Sequence, residues 1–263
     1  MKAKWSVIPE LNDIDRFVEL SAAHGAAFEY NDFFMPYVYE DKEETDRRIS
    51  LYNSLDRDRS RDTLHGVFYD TAVLSVDSVI RERSRELFRQ SLDIARRLSC
   101  KGVVFHTGRL AGLDTFKYHR TWLAGMDDFL HELASAYKDT EIYIENTFEK
   151  DPKILAELME RSVDLKNVGI CFDYAHAMLT NSDHYSWIEE LAPYIKHIHI
   201  NDHDMKADLH LAVGDGKIDY GLFAKVIKDY EIDVQILHEV NGYDNALRSL
   251  EYMENLQVEN CSQ

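Results

Sequence analysis

The sequence predicts an α/β fold, a single (β/α)8 TIM barrel, and three observations predict it. Short apolar runs alternate with amphipathic stretches from one end of the chain to the other. The 263 residues are close to the roughly 250 that one such barrel uses. Six of the eight strand-like runs end in a side chain of metal-ligand type: His65, His106, Glu145, Asp173, His199 and Glu239. The gaps between these residues are 41, 39, 28, 26 and 40, each roomy enough for one strand–helix unit. A barrel gathers the carboxyl ends of its parallel strands on one face, so six residues far apart in sequence would meet in one cavity.

In chain order, the strands are expected at Trp5–Pro9, Ala26–Tyr30, Thr63–Phe68, Gly102–Thr107, Ile142–Asn146, Val168–Asp173, Ile195–Ile200 and Val234–Val240. Helical patterns follow near Asp13–Ala23, Glu40–Leu55, Val79–Ser99, Thr115–Tyr137, Pro152–Arg161, His184–Leu191, Tyr220–Asp229 and Tyr243–Leu256. From Ile80 to Ala95 charges fall between apolar positions, as on a helix with one face in water. Asp151-Pro152 reads as a helix start and His24-Gly25 as a helix stop. No linker or composition break appears, so one catalytic domain is expected over 1–256, with a frayed polar tail at 257–263.

Composition narrows the function classes. Hydrophobic residues make up 45% and prolines number four, which suits a chain with a sizeable core. Cys100, Cys171 and Cys261 lie far apart, with no C-x-x-C pair; this argues against a disulfide framework and for a reducing cytoplasm. Met1-Lys-Ala-Lys-Trp-Ser carries no apolar signal core, and no run reaches 18 apolar residues, so no membrane span is expected. A net charge of −18 repels polyphosphate backbones and makes nucleic acid an unfavoured partner. Oligomeric state stays open.

Six ionisable groups at one barrel mouth would repel one another or lack partners unless something neutralised them. A cation does so, holding carboxylates ionised and imidazoles neutral. Asp173-Tyr-Ala-His176 adds a histidine about one helical turn beyond the acid. Asp208-Leu-His210, in the loop before Gly214-Asp-Gly216, puts two further ligands on one side of an extended segment. The donor set mixes nitrogen and oxygen without thiolate, which suits Zn, Mn, Fe or Co, in one to three ions. For other residues plainer readings compete. His24, His131 and His184 read as surface residues, His197 as a core histidine one layer below His199, and His203 and His238 as neighbours of the site. Arg109 and Lys206 are placed to meet a substrate phosphate or simply water. Phe33, Phe34, Trp122 and Trp187 are placed to wall a substrate pocket or merely to pack.

His106-Thr-Gly, Ile144-Glu145-Asn146, Asp173-Tyr-Ala-His176-Ala, His199-Ile-Asn201-Asp202 and Asp208-Leu-His210 with Gly214-Asp-Gly216 resemble the xylose-isomerase-like TIM-barrel superfamily. The likeness runs from the second strand to the eighth. With Phe28-Glu-Tyr-Asn-Asp-Phe-Phe34 included, it leans toward sugar phosphate isomerases and epimerases. By resemblance to tagatose-epimerase-like members, Glu145, Asp173, His199 and Glu239 would hold one metal and His176 would touch substrate oxygens. By resemblance to endonuclease IV, three metals would use nine side chains. His65, His106 and Glu145 would hold the first, and Glu145 would bridge to a second held by Asp173, His199 and Glu239. His176, Asp208 and His210 would hold the third. The Gly-Ala-His-Val-Ser signature of endonuclease IV is absent, and the loop Asn31–Asp41 is aromatic and acidic, poor for DNA phosphates.

The expected activity is therefore a metal-dependent isomerase or epimerase of a small sugar or sugar phosphate, working through an enediolate with Glu145 and Glu239 as acid and base. A multi-metal phosphoester hydrolase is the alternative, and a non-catalytic sugar- or metal-sensing barrel a third class.

Overall fold

The computed structural model describes residues 4–261, apart from 111, 114 and 181–183. Eight parallel strands close into a barrel in sequence order: β1 Lys4–Val7, β2 Ala27–Tyr30, β3 Thr63–His65, β4 Gly102–His106, β5 Glu141–Glu145, β6 Val168–Asp173, β7 Ile195–Ile200 and β8 Gln235–His238. The connecting helices are α1 Ile14–His24, α2 Pro36–Tyr39, α3 Lys42–Ser54, α4 Ser78–Leu98, α5 Phe116–Ala136, α6 Lys153–Arg161, α7 Tyr174–Leu179, α8 His184–Leu191, α9 Tyr220–Asp229 and α10 Tyr243–Cys261. Among the described residues no helix is long and apolar enough to cross a membrane.

Register decides which side chains face the barrel axis. Ser6 pairs with Ala27 and Leu237, Glu29 with Thr63, His65 with Val104, Val104 with Tyr143, Cys171 with His197, and Asp173 with His199. Alternation along each strand then sends this set inward and the intervening large apolar residues outward, against the helices. Outward Trp5, Phe28, Phe105, Ile144 and Phe172 join the main core, whereas inward Val104, Tyr143 and Cys171 form a small cluster of their own. Apart from Ala27 and Leu237, the other inward residues below the site are polar: Ser6, Glu29, Thr63, His197 and Gln235 are all buried. Gly102 makes room for this filling, because a Cβ there would lie 2.5 Å from the Tyr143 ring.

Local signals set the helix ends. Asp41, Asp77, Thr115, Asp173 and Asp219 each accept a backbone N–H of the helix that follows, meeting donors that a helix start leaves unpaired. Gly25, at φ 64°, stops α1 as expected. Other boundaries differ from expectation. Strand β3 ends at His65 and β8 at His238, so Glu239 lies one residue past its strand; its N–H still bonds Ile200 O at 2.8 Å. The short α2 and α7 are additions to the expected set, being a few residues each. Helix α10 continues to Cys261 instead of fraying after Leu256, since no glycine or proline interrupts it; residues 262 and 263 lie outside the described residues. Three aromatics offered as pocket walls are core instead. Phe33 packs beside Tyr52, Trp187 lies against Phe172, and Trp122 Nε1 donates to Thr107 O at 3.2 Å.

One buried ion pair braces the first strands. Asp62, fully buried just before β3, accepts Phe28 N at 2.9 Å and Tyr30 Oη at 2.6 Å, and both its oxygens meet the Arg57 guanidinium. That guanidinium also lies 3.6 Å over the Phe28 ring. Asp62→Asn keeps the shape but leaves Arg57 charged, buried and unpaired. It should cost about 3–5 kcal/mol in urea unfolding; a loss below about 1 kcal/mol would mean the pair does not brace the barrel.

Candidate metal centre

The barrel brings the expected residues together at the carboxyl ends of its strands. Glu145 and Asp173 close β5 and β6, His199 lies one residue from the end of β7, and Glu239 follows β8. One ligand-type atom from each of these four lies within 4.8 Å of the others, and all four residues are buried. His199 Nδ1 is 3.4 Å from Glu145 Oε1 and 3.5 Å from Glu239 Oε2. Both Glu145 oxygens, Asp173 Oδ2, His199 Nδ1 and Glu239 Oε2 have no hydrogen-bond partner. Buried polar atoms are rarely left so. Ligand atoms around a tetrahedral ion with bonds near 2.0–2.1 Å stand about 3.3 Å apart, so the spacing and the unpaired atoms fit a divalent cation.

Two flanking groups share the mouth. In the first, Glu145 Oε2 lies 3.3 Å from His106 Nε2 and 3.5 Å from His65 Nε2. In the second, Asp208 Oδ2 lies 3.2 Å from His176 Nε2 and 3.0 Å from His210 Nε2. Either set of three could also hold a metal ion. Three histidines are aimed the same way by the backbone: His65 Nδ1 meets Gly66 O at 3.0 Å, while His176 Nδ1 meets Asn146 O and His210 Nδ1 meets Glu239 O, each at 2.9 Å. A carbonyl only accepts, so Nδ1 carries the proton and Nε2 of the neutral ring keeps a lone pair for a ligand. Asp173 is held in turn, its N–H donating to Asn146 Oδ1 and its carbonyl accepting from Asn146 Nδ2, both at 2.8 Å. His210 takes a left-handed φ of 47°, so Asp208 and His210 meet through a turned backbone and not through the extended segment expected.

The charges are strongly coupled. Burial pushes Asp173 up to about 7, with Glu239 and Glu145 adding to it against His176 and His199. Burial opposes ionised Glu145 too, but His199 and His106 hold it well below the usual carboxylate range. Glu239 is also lowered, His199 outweighing its burial. His176 is held well above the imidazole range despite burial, chiefly by Asp173 and Asp208, and His210 reaches about 10 against burial beside Asp208 and Glu239.

Other expected residues sit at varying distance from this chemistry. Phe34 packs on His65, Phe68 and Tyr69, and Phe68 stacks on His106 at 4.7 Å, giving the first flanking group an aromatic wall. Arg109 lies near the Tyr118 and Trp122 rings and lines a cavity of about 190 Å³ with His119, Lys150 and Lys153. Lys206 is exposed in the loop after β7. His131 and His24 are both half-buried, the first against Asp127 and Asp164 and the second against Glu254. The side chain of His184 lies outside the described residues. His203 is buried, with Nε2 on Ala175 O at 2.9 Å, and His238 packs against Trp5 on the outer face of the sheet.

Glu29 is the residue that the sequence reading missed. It lies on β2, fully buried, with Oε2 2.7 Å from Thr63 Oγ1 and 3.0 Å from His197 Nε2, and Oε1 3.2 Å from His199 Nε2. His197 stacks on Tyr143 with ring centroids 5.3 Å apart, one layer down as expected of a core histidine. The available signal was a lone acid within the apolar strand Ala27-Phe-Glu-Tyr30.

The sign of the pH dependence follows. Asp173, raised by burial to about 7, costs the metal-free fold stability as pH climbs from its ordinary value of 3.8 to about 7, and the contribution of His210, full below its unfolded value, is lost as pH rises through about 10. A cation has to displace the same protons, so zinc affinity should rise with pH by about tenfold per unit for each proton released. Calorimetry between about pH 6 and pH 8, in buffers of different ionisation heat, reads both quantities; constant affinity with no proton release would contradict this electrostatic picture.

Residues 18–256 match the family model described as a xylose isomerase-like TIM barrel. Two curated relatives are uncharacterized proteins of Methanocaldococcus jannaschii. MJ1614 is 30% identical over 192 residues, covering 70% of this chain and 71% of its own. MJ1311 is 27% identical over 202 residues, covering 73% and 68%. Among solved structures, the TTHB071 protein from Thermus thermophilus, soaked with ZnCl2, superposes with a TM-score of 0.79 at 24% identity, over 98% of this chain and 99% of that one. A D-tagatose 3-epimerase-like protein gives 0.76 at 23% identity, over 97% of each chain. D-allulose 3-epimerase from Methylomonas sp., in complex with D-allulose, gives 0.71 at 14%, again over 97% of each. At these identities the likeness to solved structures is one of fold.

Proposed function

Because the chain belongs to the xylose isomerase-like TIM-barrel family, we propose that it is a metal-dependent isomerase or epimerase of a small sugar or sugar phosphate. The observation that carries this reading is the cluster of buried, unpartnered ligand atoms on Glu145, Asp173, His199 and Glu239. A divalent ion held by these four would supply Lewis-acid charge to adjacent substrate oxygens. Glu145 and Glu239 then divide the proton work. They reach the centre from β5 and from the residue after β8, and an oxygen of each lies within 3.5 Å of His199 Nδ1. A sugar lying between them would offer the carbon beside its carbonyl to both: one carboxylate removes the proton and the other returns it on the opposite face. His176 borders the same space and would hydrogen-bond a substrate hydroxyl. The cavity at Arg109, Lys150 and Lys153 suits a phosphate on the far end of the sugar, and Phe34 with Phe68 offers an apolar face for the ring.

Glu145→Gln and Glu239→Gln should each lower turnover of a true substrate by at least about a hundredfold, the range of a lost acid or base, with the circular dichroism of the folded barrel retained. Wild-type turnover in either variant would sink the acid/base assignment.

A second reading, phosphoester hydrolysis at a multi-metal site, is favoured by the two flanking groups, whose spacing also suits ions. Burial separates the readings. In the central group five atoms are buried without partners, whereas Asp208, His176 and His210 already satisfy one another at a partly exposed site. The proposal is therefore one tight ion at the centre and weaker ones beside it. Elemental analysis of wild type and of the Asp208→Asn/His210→Gln double variant decides the matter. About one ion in both, with sugar epimerisation kept, supports the isomerase. About three falling to two, with loss of phosphodiesterase activity, would instead establish the hydrolase.

A further inference from the structure

Four histidines in the three groups have a ring nitrogen whose surroundings are defined on the side away from the ligands, and one of the four is turned the other way. His65, His176 and His210 each give Nδ1–H to a backbone carbonyl and present Nε2. His199 presents Nδ1 to Glu145 and Glu239, and its Nε2 points down the barrel axis, 3.2 Å from Glu29 Oε1. Neither of those two atoms completes a hydrogen bond among the described residues, so each is open to the other across this ion-pair contact. The Glu29 carboxylate therefore stands at His199 Nε2 where the other three rings have a backbone carbonyl.

Glu29 is itself fixed. Thr63 Oγ1 donates to its second oxygen at 2.7 Å, and His197 Nε2 meets the same oxygen at 3.0 Å. The His197 ring is stacked on Tyr143 with an interplanar angle of 11°. Three strands besides β2 therefore hold one carboxylate in place beneath the centre, and its buried charge has only imidazoles to meet it in the ion pairs of the described residues. An imidazole with its proton on Nε2, beside a carboxylate, is left with the Nδ1 lone pair free and more basic.

We propose that Glu29 is a positioning residue for the metal centre: its carboxylate faces Nε2–H of His199, keeps the proton on that nitrogen and so commits Nδ1 to the ion. The proposal rests on the metal reading of the centre given above and concerns a residue that touches neither ion nor substrate.

The test uses the full-length protein stripped of metal and titrated with zinc alone. Glu29→Gln keeps the volume and an oxygen acceptor but removes the charge. Calorimetry should show zinc affinity at the tight site lowered by about 10- to 100-fold, the usual effect of losing such a partner, with circular dichroism unchanged. In zinc-loaded wild type, nitrogen-15 spectra of the His199 ring should show the proton on Nε2 and the metal on Nδ1. That spectrum also decides the question should the variant not fold. Zinc affinity in Glu29→Gln equal to that of wild type, or a wild-type His199 coordinating through Nε2, would overturn the proposal. Wild type that takes up no zinc would instead overturn the metal reading itself, and the role of Glu29 with it.

Discussion

Everything at the working end of this barrel answers to the convergence of Glu145, Asp173 and Glu239, three buried carboxyl groups on one point. Burial alone drives each toward its neutral form, and each is made worse by the others. The chain meets this with histidines. His199 and His106 keep Glu145 ionised, and His199 keeps Glu239 so, while Asp173 is left titrating near 7. His199, held well above the usual imidazole range against its burial, thereby becomes a cation, which is not the form in which it binds metal. Without an ion, then, the site is balanced by protons. With one, the same residues would trade those protons for a single charge. This exchange accounts for the coupled titrations and for the unpartnered atoms alike.

The barrel scaffold follows from the same demand. Strand-end residues are held in place by register, and register is set by outward apolar side chains packed against helices. The inward layer beneath the site cannot be purely apolar, because Glu29 and His197 must reach one another there. Ser6, Thr63 and Gln235 make that layer polar, and Val104, Tyr143 and Cys171 fill what remains. The interior is thus a stack: an apolar and polar filling, then the Glu29 pair of contacts, then His199, then the open mouth.

Much of this could be read in the sequence, and for a definite reason. Parallel strands buried on both faces are short runs of β-branched and aromatic residues, so the expected bounds of β6 and β7 match the structure to the residue. The ligand-type residues stood out because six such groups closed successive apolar runs, where one alone would mean little, and their spacing matched one strand–helix unit each. Glu29 escaped because it sits inside its strand, not at the end, and because its partners, Thr63 and His197, come from strands 34 and 168 residues away. Helix α7 escaped because six residues are too few to show a period; Asp173, its cap, reads first as a ligand. Phe33 and Phe34 are adjacent and alike in sequence, yet one is core and the other borders His65. Only the turn of the loop distinguishes them.

Burial also orders the three groups of ligands in a way that sequence could not. Each group has the residue types and spacing for an ion, so chemistry alone treats them as equals. Desolvation does not. Water can reach Asp208 and His210, about a third exposed, and a mutual ion pair there is stable enough without metal. Glu145, Asp173 and His199 have no such recourse, being fully buried with atoms that complete no hydrogen bond. The free energy of binding an ion grows with the cost that the ion relieves, so affinity should fall from the barrel axis outward. A site graded in this way can keep one ion through substrate exchange while its rim histidines remain free to bind substrate oxygens. On the proposed function, the buried centre would hold the ion and the exposed rim would meet the substrate.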